Sequence, residues 1–197
     1  MKNIEEIPLF PLGIVLLPLE KLPLHIFEPR YKIMMLNAIN NKTPFGIVFK
    51  DSKKLLNIGC EAKVFKVLKT YPNGESDIMV EGINRFEIQE TYLKDQTVVG
   101  KVKMLTDEKI QDEKIINEIH DNYLKLLLKI GKSDLKNRDL AKQLSYEFIQ
   151  NIVLPTDIKK TLIVSKDEKG RIKIINKLFK KILSLPANNT EGLIPKA

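Results

Sequence analysis

Few residues in this chain of 197 have the types and spacing that catalysis requires. His25 and His120 are the only histidines, and Cys60 is the only cysteine. A metal site needs several such ligands, or histidines and carboxylates at ligand spacing, and neither histidine has them. A single thiol excludes an intrachain disulfide, and Cys60, just after Gly59, reads as a small buried side chain. There is no GxxxxGK[ST] phosphate loop, no GxGxxG turn opening a βαβ unit, and no GxSxG nucleophile elbow. Serines and lysines could meet in space for acyl transfer, but nothing in their spacing asks for it. The expectation is a protein with no catalytic residue, no cofactor and no metal.

What remains is the chemistry of binding, and two stretches offer it. The formal net charge is +8, and residues 159–181 hold nine basic residues against two acidic ones. Lys173, Lys177 and Lys180 mark a candidate basic face, fit for an acidic protein surface or nucleic acid, or simply solvated. The second stretch is residues 7–38, where Pro8, Pro11, Pro18, Pro23 and Pro29 interrupt an apolar run. Leu16, Leu17, Leu19, Leu22, Leu24 and Ile26 exceed what one strand face needs. An exposed apolar groove there would hold an extended polypeptide, with Leu16, Leu17, Leu19 and Leu22 as candidate contacts. Ordinary core is the competing reading of the same residues.

The elements that must position these residues follow from periodicity. Proline removes a donor and biases its predecessor towards extended geometry, so residues 7–28 read as short strands and tight corners. Pro29 suits the first position of a helix in which Tyr31, Met34, Met35 and Ala38 recur at helical spacing. Strands are expected over 44–50, over a curved stretch from Gly59 to Tyr71, over 77–90 and over 97–105. The Pro72-Asn73-Gly74 turn joins the middle pair. Gly82, inside a strand pattern, signals a bulge or a close backbone approach. From Thr106 the period changes to helical, with a helix over 108–130 stopped near Gly131. A second helix, capped by Asn137, follows over 138–153 with the stripe Leu140, Leu144, Phe148 and Ile152. A short third covers 157–164, and a fourth runs from Asp167 to Leu183 behind a capping box at Ser165 and Glu168. The tail 186–197 is expected to be disordered.

The words IPLFPL (7–12), LP (17–18), PLHIFEPRY (23–31) and GINRFEI (82–88) resemble the amino-terminal substrate-binding domain of the Lon protease family. The resemblance covers about residues 5–185. It implies an α+β fold, a PUA-like pseudo-β-barrel (1–106) followed by an α-helical bundle (four helices, 107–185). The motif positions are Pro8, Phe10, Pro11, Pro23, Phe27, Glu28, Pro29, Arg30, Tyr31, Gly46, Gly59, Gly82, Arg85 and Phe86. Glu28 and Arg30 are expected to tie the helix start to a strand, one charge bonding backbone groups and the other packing its alkyl stem, with display in a ligand groove as the alternative. Arg85 carries the same two readings, the first of which fixes its strand to the Glu28 region.

A full Lon-type protease also carries an ATPase and a serine–lysine protease module, and this sequence leaves no residues for either. The expectation is a stand-alone, non-enzymatic polypeptide-binding or adaptor protein, its partner an unfolded or extended polypeptide or another protein. RNA binding by the barrel and the basic rear helix is the alternative, although Tyr71, Tyr92 and Tyr123 look isolated rather than arranged for base stacking. The first residues lack a signal-peptide pattern and no apolar run is long enough to span a membrane, so the expected setting is the cytoplasm.

Overall fold

A computed structural model describes residues 4–52, 54–131 and 137–186. The expected tail beyond Pro186 lies outside the described residues, and Asn137, expected as a helix cap, is itself the first residue of a helical segment. The chain divides into two compact units, residues 1–106 and 107–197.

Unit 1 is built on six strands and one helix: β1 (Ile4–Leu12), β2 (Lys21–Ile26), α1 (Pro29–Asn41), β3 (Phe45–Phe49), β4 (Ile58–Thr70), β5 (Ser76–Lys94) and β6 (Thr97–Leu105). The sheet order is β2-β5-β4-β3-β1-β6, and β5 also pairs with β6. That last pairing closes β1, β3, β4, β5 and β6 into a ring, so the unit is a pseudo-barrel with β2 attached outside it. Three prolines lie within strands. Pro8 pairs only with β6, Pro11 only with β3 and Pro23 only with β5, so none removes a donor that two neighbours need.

The barrel centre holds Ile7, Leu9, Val48, Phe86 and Val102. Phe86 is fully buried, and its ring lies over Gly46 and Gly59, where a Cβ would come within 2.6 and 2.4 Å of the ring tip. Two missing side chains thus make the room for one large one. Burying a phenylalanine of this kind contributes about 1.5–3 kcal/mol.

β5 has to serve two neighbours on one flank. Residues 76–81 pair with β2, and residues 85–94 with β6. Gly82 lies at the changeover, where the turn over residues 17–20 meets it backbone to backbone: Leu19 N–H donates to Gly82 O (2.9 Å) and Gly82 N–H to Glu20 O (3.0 Å). Leu19 adopts φ 66°, a costly conformation for a leucine, and the Gly82 bond holds it there.

Unit 2 contains α2 (Glu113–Lys129), α3 (Asn137–Leu140), α4 (Ser145–Ile149), α5 (Thr156–Val164) and α6 (Glu168–Ser184). α2 and α6 run in the same direction. Asp112 and Lys169 meet at their first turns (3.3 Å), and Asn122 and Asn176 bond at mid-helix (2.7 Å). At the far end the Lys129 ammonium donates to the Ile182, Leu183 and Leu185 carbonyls, capping α6. Tyr123, Phe148 and Phe179 pack in the core between the helices.

Two helix readings change. The helix expected over 138–153 is split into α3 and α4, giving five helical segments where four were expected. The Glu147 carboxylate accepts from the Gln143 and Leu144 N–H groups (2.6 and 2.7 Å), and the Glu168 carboxylate takes Ser145 N–H. Those donors are thereby lost to a continuous helix, and Leu140 is left exposed. The cap of α6 is Asp167, which accepts from Gly170 N–H (2.6 Å), rather than a box at Ser165. Glu168 instead turns inward to Arg171. The fully buried Arg171 guanidinium bonds Asp107 (2.5 Å), Glu168 (2.5 Å), Ser145 Oγ (3.1 Å) and Ser165 O (2.9 Å).

Two substitutions test these junctions by urea unfolding. A Cβ on Gly82 would meet Leu17 O at 2.2 Å, and backbone cannot yield there. Gly82→Ala is expected to destabilise by about 2–3 kcal/mol. Arg171→Ala, which strands two carboxylates in the interior of unit 2, is expected to cost about 3–5 kcal/mol.

Candidate functional site

The site is built from what α1 leaves uncovered. Pro29 starts the helix, and Tyr31, Met34, Met35 and Ala38 are buried along one stripe, as their spacing predicts. Ile33 and Leu36 lie off that stripe and are 66% and 58% exposed. With Met35 and Ile39 they form one wall of a groove of roughly 380 Å³. Val67 and Thr70 of β4, with Gly74 and Ser76 of the following hairpin, form the other.

Lys32 straps one end of this groove. Its ammonium donates to Asn73 O (3.0 Å) and lies 3.7 Å from the Glu75 carboxylate. The hairpin itself is a tight turn: Gly74 has φ +78° and its N–H bonds Tyr71 O, while Asn73 Oδ1 accepts from Glu75 N–H. Beside it, His25 Nδ1 lies 2.7 Å from Asp77 Oδ1 and Nε2 lies 3.4 Å from Glu75 Oε2. The Tyr71 hydroxyl donates to Asp77 Oδ2 (2.7 Å). That phenol bond, and the bond from His25, hold the Asp77 carboxyl below its ordinary value. The same bond to Asp77 pushes the Tyr71 phenol up. His25 addresses its two carboxylates through opposite ring nitrogens, so the three groups do not converge on one point as metal ligands must. The arrangement braces the hairpin wall.

The structure relocates the apolar surface. Leu16 and Leu17 are 1% and 3% exposed, so they are core residues and cannot serve as contacts. The turn that hydrogen-bonds Gly82 folds them inward. Leu19 and Leu22 are half-buried. Ile33, Leu36 and Val67 were missed, although a signal existed: Ile33 and Leu36 are apolar residues outside the buried stripe of α1.

Among the motif residues, Phe10 is buried with its ring 4.2 Å from that of Tyr31, and Phe27 is exposed. Glu28 makes no side-chain cap to α1. Its carboxylate takes Arg30 instead (2.8 Å), a solvent-exposed local pair, so the expected bond to backbone groups is replaced by a side-chain one. Arg85 and Cys60 are buried in unit 1, and burial pushes the Cys60 thiol up. In unit 2, Lys173 and Lys177 are exposed on α6, whereas Lys180 is paired with Glu118 (2.5 Å) and Lys169 with Asp112. Acids thus interleave the basic face. Tyr71 is not isolated, since it meets His25 edge-on at 5.9 Å. Tyr123 is buried and offers no stacking surface. Among the described residues no helix is long and apolar enough to cross a membrane.

A pseudo-barrel followed by several helices is the arrangement that the motif words imply. The family model for the ATP-dependent protease La (LON) substrate-binding domain matches residues 6–181. The chain belongs to the Lon substrate-binding domain family. The Lon protease of Parabacteroides distasonis is 28% identical over 137 residues, which is 62% of this chain and 16% of that protease. The chain therefore spans about a sixth of that relative's length. The structure of a Lon N-terminal domain protein from Xanthomonas campestris shares 20% identity with a TM-score of 0.65, covering 93% of this chain and 100% of the other. The N-terminal domain of a Mycobacterium avium complex Lon protease shares 14% with a TM-score of 0.66, covering 89% and 98%. At these identities the structural likeness speaks for the fold. The matched segment corresponds to the non-catalytic amino-terminal module of Lon.

The hairpin wall of this Lon-type unit has a pH signature. Asp77 has a folded pKa below its unfolded value, so its contribution is present above the ordinary carboxylate range and is lost as pH falls through the lower folded value. Amide NMR shifts of Tyr71 and residues 73–77 are expected to titrate together below the ordinary carboxylate range. Asp77→Asn is expected to abolish that step.

Proposed function

We propose that the chain binds unfolded or extended polypeptide through the groove between α1 and the β4–β5 hairpin of unit 1, as a recognition or adaptor element that does no chemistry on its client. The observation that carries this reading is the pair Ile33 and Leu36. Two large apolar side chains, three residues apart on one helix face, stand exposed over an apolar hollow. Water contact with such a patch is costly, and covering it with a partner's apolar side chains recovers about 25 cal/mol for each Å² buried. Membership of a family described as a substrate-binding domain supports the same reading. A cytoplasmic setting, where unfolded chains are available, belongs to it.

Half-buried Leu19 and Leu22 are retained as secondary contacts, on the side of unit 1 where β2 meets β5. The basic face of α6 carries less weight. Of its three candidate lysines, Lys180 has a carboxylate partner.

The test is equilibrium binding of a reduced and alkylated unfolded polypeptide across a salt series, with circular dichroism confirming the fold. Ile33→Ser together with Leu36→Ser changes only exposed side chains, so the fold is expected to survive. Affinity is expected to fall about tenfold or more, equivalent to about 1.4 kcal/mol. In the parent chain, binding is expected to persist at salt that screens exposed charges. Unchanged affinity in the double variant would refute the groove as the binding site. Charge reversal at Lys173 and Lys177 is expected to leave polypeptide binding intact.

A further inference from the structure

β4 is long, and only part of it has neighbours on both sides. β3 pairs with it at Cys60 to Ala62, whereas β5 follows it from Ile58 to Thr70. From Lys63 to Thr70 the other edge of β4 therefore has no strand partner among the described residues. Such an edge presents main-chain N–H and C=O groups that another chain can pair with.

The register gives this edge two chemically different faces. Val64 and Val67 lie opposite the buried Val80 and Ile78 of β5. Lys66 and Lys69 lie opposite Met79 and Asp77 on the other face, together with Lys63, whose ammonium pairs with the Glu81 carboxylate opposite it (3.0 Å). Register shifts between Val64 and Lys66 and between Val67 and Lys69 bring the three lysines, spaced by three in sequence, to one side. No acid occurs between residues 63 and 70. On the opposite side Val67 opens into the groove facing α1.

We propose that this open edge of β4 accepts an extended polypeptide segment as an added strand, with alternating apolar and acidic side chains. Its apolar residues lie over Val67, Ile33 and Leu36, and its acids lie beside Lys66 and Lys69. The proposal rests on the polypeptide-binding reading and adds a geometry and a client class to it. Charge complementarity selects the occupant. A second copy of the chain pairing edge to edge would set Lys66 and Lys69 against their own copies, which is how sheets commonly avoid self-association. The same lysines attract an acidic strand, and the period of two in a strand sends acids and apolar groups to opposite faces.

The probe is a short synthetic peptide of alternating valine and glutamate, measured by fluorescence anisotropy with the intact chain. Its companions are two versions N-methylated at alternate residues (odd or even), one with lysine for glutamate, and one of scrambled order. N-methylation deletes main-chain donors on one edge of the peptide and leaves the protein untouched, so no folding defect enters. One of the two methylated peptides is expected to bind about tenfold or more weakly than the parent, and the other about equally. The lysine and scrambled peptides are expected to lose a similar factor. Lys66→Glu with Lys69→Glu is expected to reverse the preference between the glutamate and lysine peptides. Equal binding of both methylated peptides and the parent would overturn strand addition. So would self-association of the chain that the parent peptide disrupts, or an RNA oligonucleotide that displaces the peptide and binds more tightly with steep salt dependence. If methylation is silent while unfolded polypeptide still responds to the Ile33 and Leu36 substitutions, strand addition alone fails. If neither response is seen, the polypeptide-binding reading fails with it.

Discussion

Unit 1 depends on one strand keeping two sets of partners. β5 runs beside β4 on one flank, and on the other it gives residues 76–81 to β2 and residues 85–94 to β6. The exchange is possible because the chain at Gly82 has no side chain to hold the turn over residues 17–20 away. Everything that shapes the groove follows from that contact. The turn sends Leu16 and Leu17 into the core and starts β2, and β2 carries His25 to the hairpin and delivers the chain to Pro29 and α1. A leucine is kept at positive φ to complete it. Strain of that size, of order 1–3 kcal/mol, persists only where surrounding bonds over-determine the backbone.

What the barrel leaves open is as consequential as what it closes. β4 extends eight residues past its last partner in β3, and α1 spends only one stripe on the core. An apolar helix face and an unpaired strand edge therefore border the same hollow. Neither offers a nucleophile or a convergent set of ligands, but together they offer shape, apolar surface and main-chain hydrogen bonds. Those are the means by which a protein recognises another chain without needing its exact sequence. The acids interleaved with the lysines of α6 make that surface a weaker electrostatic attractor than its composition suggests.

Unit 2 is held by a different device. Arg171 gathers Asp107, Ser145 and the Ser165–Glu168 segment, three separate stretches, around one buried cation. Taking those charges out of water is costly, and the geometry compensates by giving the guanidinium good acceptors and giving Glu168 the Ser145 N–H as well. The outcome is specificity in where α4 begins, at the expense of a continuous helix.

Local physics was legible in the sequence. Pro29 and the Tyr31, Met34, Met35 and Ala38 stripe placed α1, Pro72-Asn73-Gly74 placed the hairpin, and the change of period near Thr106 followed the last strand, which ends at Leu105. These are properties of neighbouring residues, decided by φ preferences and by which face repeats. The sharp words around residues 7–31 and 82–88 carried the family for the same reason, since glycine and proline at fixed places record backbone constraints. Exposure and register were decided only by the tertiary structure. Leu16 and Leu36 are indistinguishable as leucines, and only the turn at Gly82 buries one while α1's orientation bares the other. The helix break before Ser145 needed Glu168, distant in sequence, to take its N–H. The lysines of β4 share a face because two bulges shift a ladder set by β5. Each of these is a relation between residues far apart along the chain, and no local period contains it.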